Sequence, residues 1–142
     1  QLRLYAVPGP QGSMLLDDSY NASPESTIAA LNLLDDLDAE KRVAVLGDML
    51  ELGPFEHQGH ISVGTRARHV VDLLVTVGEL GSLIAEGALK AGMTKSEIVQ
   101  CRDSKHALNY LSNNIGMGDV VLIKGSRGLG LDRLVNNLEI LA

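Results

Sequence analysis

Apolar runs of strand length alternate along this chain with amphipathic stretches of helix length. "LRLYAV" and "MLLDD" flank the Pro- and Gly-rich "PGPQGS" and predict an antiparallel hairpin. Ser23-Pro24-Glu25 then reads as a helix start, with Ser as N-cap, Pro in the first position and an acid facing the positive end of the helix dipole. Ile28, Leu31, Leu34 and Leu37 follow at a spacing near that of one helix face. "RVAVLGD" predicts a buried strand, and "PFEHQGHISVGTRARHV" a helix beginning at Pro54. "VDLLVTVG" predicts another strand, followed by a helix carrying Leu80, Leu83, Ile84, Ala88 and Leu89. "EIVQC" is a short strand, and Ser104 is placed to cap a helix bearing Ala107, Leu108, Leu111 and Ile115. "DVVLIKG" is the last strand, with Leu131, Leu134, Val135, Leu138 and Leu141 facing the core from a closing helix.

The strands are continuously apolar rather than alternating, which implies a sheet covered on both faces. Strict alternation of strand and helix implies right-handed crossovers and parallel pairing. The expected fold is therefore α/β: a Rossmann-like, doubly wound, mostly parallel sheet with one antiparallel edge strand from the N-terminal hairpin. No repeat or low-complexity linker interrupts residues 1–142, which are expected to form a single domain.

Composition sharpens this picture. With 45% hydrophobic residues but one Phe and no Trp, the core must be aliphatic. A formal net charge of -6 without a Lys/Arg block argues against a nucleic-acid or anionic-membrane partner. The single cysteine, Cys101, excludes a disulfide framework and reads as a small buried apolar residue. No apolar stretch approaches the ~20 residues that span a bilayer, so membrane insertion is not expected and a cytoplasmic setting is. The chain opens at Gln1 in a strand-like run, so it is expected to be a fragment of a longer polypeptide.

In such sheets ligands bind beyond the carboxyl ends of the strands, and three sequence features fall there. In "DDSYNASP", Asp17 and Asp18 end a strand, so at least one should point into the crevice, where a carboxylate suits vicinal hydroxyls such as those of a ribose. Asn21 adds an amide and Ser23 a helix start; the same residues are also ordinary turn and cap residues. In "LGDMLELG", Asp48 and Glu51 precede His57 and His60, but the spacing matches no metal-ligand pattern, and no metal site is assigned. In "KGSRGLG", Lys124, Ser126 and Arg127 sit at a strand-to-helix junction where two cations and flexible backbone suit a carboxylate or phosphate. A solvated glycine-rich connector would read the same way. This is neither a P-loop nor a dinucleotide fingerprint. No nucleophile elbow or acid pair is present, so binding groups stand at the sheet edge without a self-sufficient reaction centre.

Taken in order, "DDSYNASP", "AALNLL", "VLGDMLELG", the glycine–histidine and valine–glycine pairs at 59–64, and "VLIKGSRGLGLDRLV" resemble the C-terminal domain of the Mur ligases. The resemblance runs from about Leu15 to the end and is nearest to the branch that uses D-alanyl-D-alanine. The family more often has Asn where Ser23 stands and Met-Glu in place of Leu131-Asp132; Ser23 can still cap, and Asp132 keeps the acid. The resemblance implies a three-domain, ATP-dependent enzyme of peptidoglycan precursor synthesis. In it, the carboxylate of UDP-N-acetylmuramoyl-tripeptide is activated to an acyl phosphate and attacked by the amine of D-alanyl-D-alanine. ATP and Mg2+ would be bound mainly by a central domain absent here, and this domain would close over them without catalysing alone. On the resemblance, Asp18 and Asn21 contact the nucleotide. Lys124, Ser126 and Arg127 contact the dipeptide's carboxylate or the charge that develops on transfer, with Asn21 close to the reacting groups, while Asp48, Glu51 and His60 shape the cleft. The family's phosphate-contacting arginine is matched here only by Arg3, and only in a slipped register, so that role is left unassigned. A free-standing nucleotide- or small-acid-binding regulatory module is the competing reading; a P-loop encoded upstream of this segment separates the two.

Overall fold

The computed structural model describes residues 4–142; Arg3, with the rest of the first three residues, lies outside it. A six-stranded sheet has the order β1-β2-β6-β3-β4-β5, built from Tyr5–Pro8 (β1), Met14–Asp18 (β2), Lys41–Gly47 (β3), Leu73–Val77 (β4), Ile98–Cys101 (β5) and Asp119–Lys124 (β6). The first pair is antiparallel and every other pair is parallel, as the pattern of runs predicts. The five α-helices are Pro24–Asp36 (α1), Glu56–Arg68 (α2), Gly81–Lys90 (α3), Ser104–Leu111 (α4) and Leu131–Ile140 (α5).

Successive residues of a strand point to opposite faces, and here both faces are buried. Leu16, Ala44, Leu46, Leu74 and Leu122 pack with α1, α2 and α3. Leu15, Val43, Val45, Val75, Val121 and Ile123 pack with α4 and α5. This is why the strands read as unbroken apolar runs. The chain passes outward from β2 through β3 and β4 to β5, then returns to insert β6 between β2 and β3. That reversal makes the carboxyl ends of β2, β6 and β3 the topological switch point, where doubly wound sheets open a crevice.

Helix starts follow their local chemistry. Ser23 Oγ accepts from the Ser26 backbone N–H at 3.1 Å, and Ser26 Oγ accepts from the Ser23 N–H at 2.9 Å, closing a capping box ahead of Pro24. The cap of α4 is Asp103, one residue before the expected Ser104, because its carboxylate takes the His106 N–H at 2.8 Å. Four apolar residues depart from the expected helical faces. Leu80 is the N-cap of α3 rather than a residue of its face, and Leu89 and Leu141 are 36% and 51% exposed. Ile115 is buried but lies beyond the end of α4. Helices α2 and α3 cross at a pair of glycines: a Cβ added to Gly64 would sit 1.9 Å from the Ile84 carbonyl oxygen, and one on Gly87 would sit 2.1 Å from that of Ile61. Cys101 is buried against the apolar core of the α4–α5 face, and burial pushes its thiol pKa up.

Candidate functional site

Strand β2 ends in two acids, and alternation sends them to opposite sides of the sheet. Asp18 follows Leu16 to the α1 side, and Asp17 follows Leu15 to the α5 side. In the parallel register Asp18 stands beside Lys124, the last residue of β6. Both are 3% exposed, and Lys124 Nζ donates to Asp18 Oδ2 at 2.8 Å and to the Asn21 carbonyl at 3.0 Å. A buried ammonium removed from water needs such partners, and removing one of them is costly. The pair therefore fastens the 17–23 turn to the centre of the sheet. A pocket of about 250 Å³ opens there, lined by Asp18, Tyr20, Asn21, Ser23, Ser26 and Lys124. The side chain of Asn21 is exposed and its Oδ1 accepts from the Ala22 N–H at 2.9 Å.

The loop after β6 is tied to the loop after β3. The Ser126 N–H donates to the Asp48 carbonyl, and Ser126 Oγ accepts from the Leu50 N–H, both at 3.0 Å. Ser126 is buried, but the next residue emerges: the Arg127 guanidinium lies 4.3 Å from the centre of the Tyr20 ring. This cation–π contact spans from the acidic turn to the basic loop. Between them lies a cavity of about 530 Å³ bordered by Asp17, Tyr20, Ser126, Arg127, Asp132 and Arg133. The two corners singled out in the sequence thus share one rim.

Asp48, Glu51 and His60 belong to the neighbouring loop and line neither rim pocket. Asp48 is buried and its Oδ1 accepts from the Leu80 N–H at 2.9 Å; burial raises its pKa despite that bond. His60 is fully buried, with Nδ1 2.6 Å from the Glu56 carbonyl and Nε2 accepting from the Met49 N–H at 3.0 Å. That pattern assigns the neutral Nδ1–H tautomer. Asp48 and His60 hold the "GDMLELG" loop from within. Glu51 is exposed and holds a φ of 63°, a left-handed conformation uncommon outside glycine. His57 is exposed on α2, and no group of three or more potential metal-ligating side chains occurs among the described residues.

Sequence reasoning did not single out Tyr20 as the partner of Arg127, nor Asp132 and Arg133 as part of the cavity. The tyrosine stood in a quoted motif without a role. Asp132 stood only as the acid kept in the family's motif and Arg133 had no role; the sheet order brings both beside Asp17.

The family described as Mur ligase, glutamate ligase domain, matches residues 2–127. The UDP-N-acetylmuramoyl-tripeptide–D-alanyl-D-alanine ligase of Bacillus subtilis is 38% identical over 96% of this chain, and that of Escherichia coli 33% identical over 96%. The chain spans about 30% of the length of these curated relatives. Among solved structures, MurF from Acinetobacter baumannii superposes with a TM-score of 0.81 at 28% identity, over 97% of this chain and 30% of that one. MurF ligase from Thermotoga maritima, solved in complex with ADP, superposes at 0.76 and 28% identity, over 98% of this chain and 32% of that one.

Proposed function

This chain belongs to the Mur ligase family, and from that premise we propose that it is the C-terminal domain of a ligase that adds D-alanyl-D-alanine to UDP-N-acetylmuramoyl-tripeptide at the expense of ATP. The observation that carries the reading is the meeting of "DDSYNASP" and "KGSR" at one rim, joined through Lys124 and Asp18 across 106 residues of sequence. The relatives named for this reaction match the chain through both segments, and a structural neighbour, MurF ligase from Thermotoga maritima, is solved with ADP.

The chain's own residues divide the work by side of the sheet. Asp18 and Asn21 face the smaller pocket beside the start of α1, where a carboxylate and an amide suit the hydroxyls of the nucleotide's ribose. Arg127 faces the larger cavity and takes the carboxylate of D-alanyl-D-alanine, for which a planar guanidinium is a two-pronged donor. Lys124 and Ser126 serve these ligands through the loops they fasten. Lys124 holds the Asp18–Asn21 turn, and Ser126 sets the depth from which Arg127 emerges. On the family resemblance, the magnesium ion and the phosphates it accompanies belong to the remainder of the ligase. On this reading the domain supplies the acceptor and a wall over ATP, works in the cytoplasm, and turns over no ATP alone.

The test is made in the full-length ligase carrying this domain. Arg127→Ala is expected to raise KM for D-alanyl-D-alanine by roughly thirtyfold, the loss of one charge-assisted pair, with KM for ATP little changed. Asp18→Ala is expected to raise KM for ATP. Unchanged dipeptide dependence in the first variant, or unchanged ATP dependence and turnover in the second, contradicts the corresponding assignment.

A further inference from the structure

The larger rim cavity extends beyond what the "KGSR" loop supplies. It runs past Arg127 onto the first turn of α5, where Asp132 and Arg133 border it, and it reaches across to Asp17. Its charged lining is therefore balanced, two guanidiniums against two carboxylates. A triphosphate would be repelled by both acids, whereas a small zwitterion finds a partner for each of its ends.

Within this lining, Arg127 is already placed by its stack on Tyr20. Arg133 has no hydrogen bond or ion pair with a described residue. Its guanidinium nevertheless has a definite seat. It lies over Gly130, so that a Cβ built on that glycine would come 2.9 Å from Nη2. Gly130 is the N-cap of α5 and brings no capping side chain of its own. The same Cβ point lies 3.0 Å from Ser104 Oγ on α4, and Arg133 borders both the rim cavity and a smaller pocket between α4 and α5.

We infer that Arg133 is a second, specificity-determining cation for the carboxylate of the acceptor dipeptide, acting with Arg127 in the lining of the same cavity. A carboxylate has two oxygens and about four acceptor sites, enough for two guanidiniums. This inference rests on the reading of the cavity as the dipeptide site. It adds a residue that the "KGSR" motif does not contain, and it explains why the cavity extends onto α5.

The experiment compares D-alanyl-D-alanine with its C-terminal amide, which lacks the carboxylate charge, in the full-length ligase. Arg133→Ala is expected to raise KM for the free dipeptide about tenfold and to leave KM for the amide and for ATP unchanged. Arg133→Lys is expected to recover part of the loss, because a point charge replaces the fork. Equal rises for acid and amide, or no rise for either, overturn the inference; Arg133→Gln, which keeps most of the side chain's bulk, guards against a packing effect. If Arg127→Ala loses selectivity for the acid while Arg133→Ala does not, only the present inference falls. If the wild-type enzyme uses acid and amide alike, the carboxylate reading of the whole cavity falls with it.

Discussion

At the residue scale, the decisive contact is the buried pair of Lys124 and Asp18. Each side chain is an unfavourable thing to bury alone, and each is tolerable only because the other is 2.8 Å away. Lys124→Met, which keeps the stem and removes the charge, leaves Asp18 buried without its cation and the Asn21 carbonyl without its donor. Unfolding in urea is expected to show a loss of about 3–5 kcal/mol; a change below about 1 kcal/mol would mean that the pair does not hold the turn. The sequence made both residues visible as a strand-end acid and a strand-end base. It did not make visible that they neutralise one another, because a pairing across 106 positions depends on sheet order. The same applies to Ser126, whose place in "KGSR" suggests a ligand contact and whose hydroxyl accepts from the Leu50 N–H.

At the element scale, the sequence pattern located the six strands and five α-helices of the described residues but not the short 3-10 turns at Pro10–Gly12, Gly53–Phe55 and Lys95–Glu97, which bury too little to leave a period. What the runs did not locate were the edges. Asp103 rather than Ser104 caps α4, and Leu141 lies past the last residue of α5 on an exposed turn. Helix α2 is the most instructive element: its apolar content is low, and its packing on α3 depends on Gly64 and Gly87 rather than on large side chains. A glycine inside a helix ordinarily costs stability relative to alanine. Here the order reverses, because a methyl group at 64 would overlap the Ile84 carbonyl oxygen. Gly64→Ala is expected to destabilise the domain by about 3 kcal/mol, as overpacking does. Thermal unfolding checks this, and a variant as stable as the parent would show that the helices separate at little cost.

At the scale of the whole molecule, function depends on where the chain turns back. Inserting β6 between β2 and β3 brings the end of the chain beside its beginning and opens the crevice at the shared rim. The alternation of strands and helices announced a doubly wound sheet, and the resemblance named the segments that meet. Neither disclosed that Asp17 and Asp18 serve different pockets, nor that α5 contributes Asp132 and Arg133 to one of them. Those facts follow from the parity of β2 and from the position of α5 beside it. The central claim is that the acidic turn and the basic loop form one ligand-binding rim. Titrating the isotopically labelled domain with D-alanyl-D-alanine, and following its backbone amides by nuclear magnetic resonance, tests that claim most directly. Shifts concentrated together in residues 17–23 and 124–133 are the predicted result. Shifts confined to one of those segments, or gathered at the opposite end of the sheet around Met14 and Met117, would contradict it.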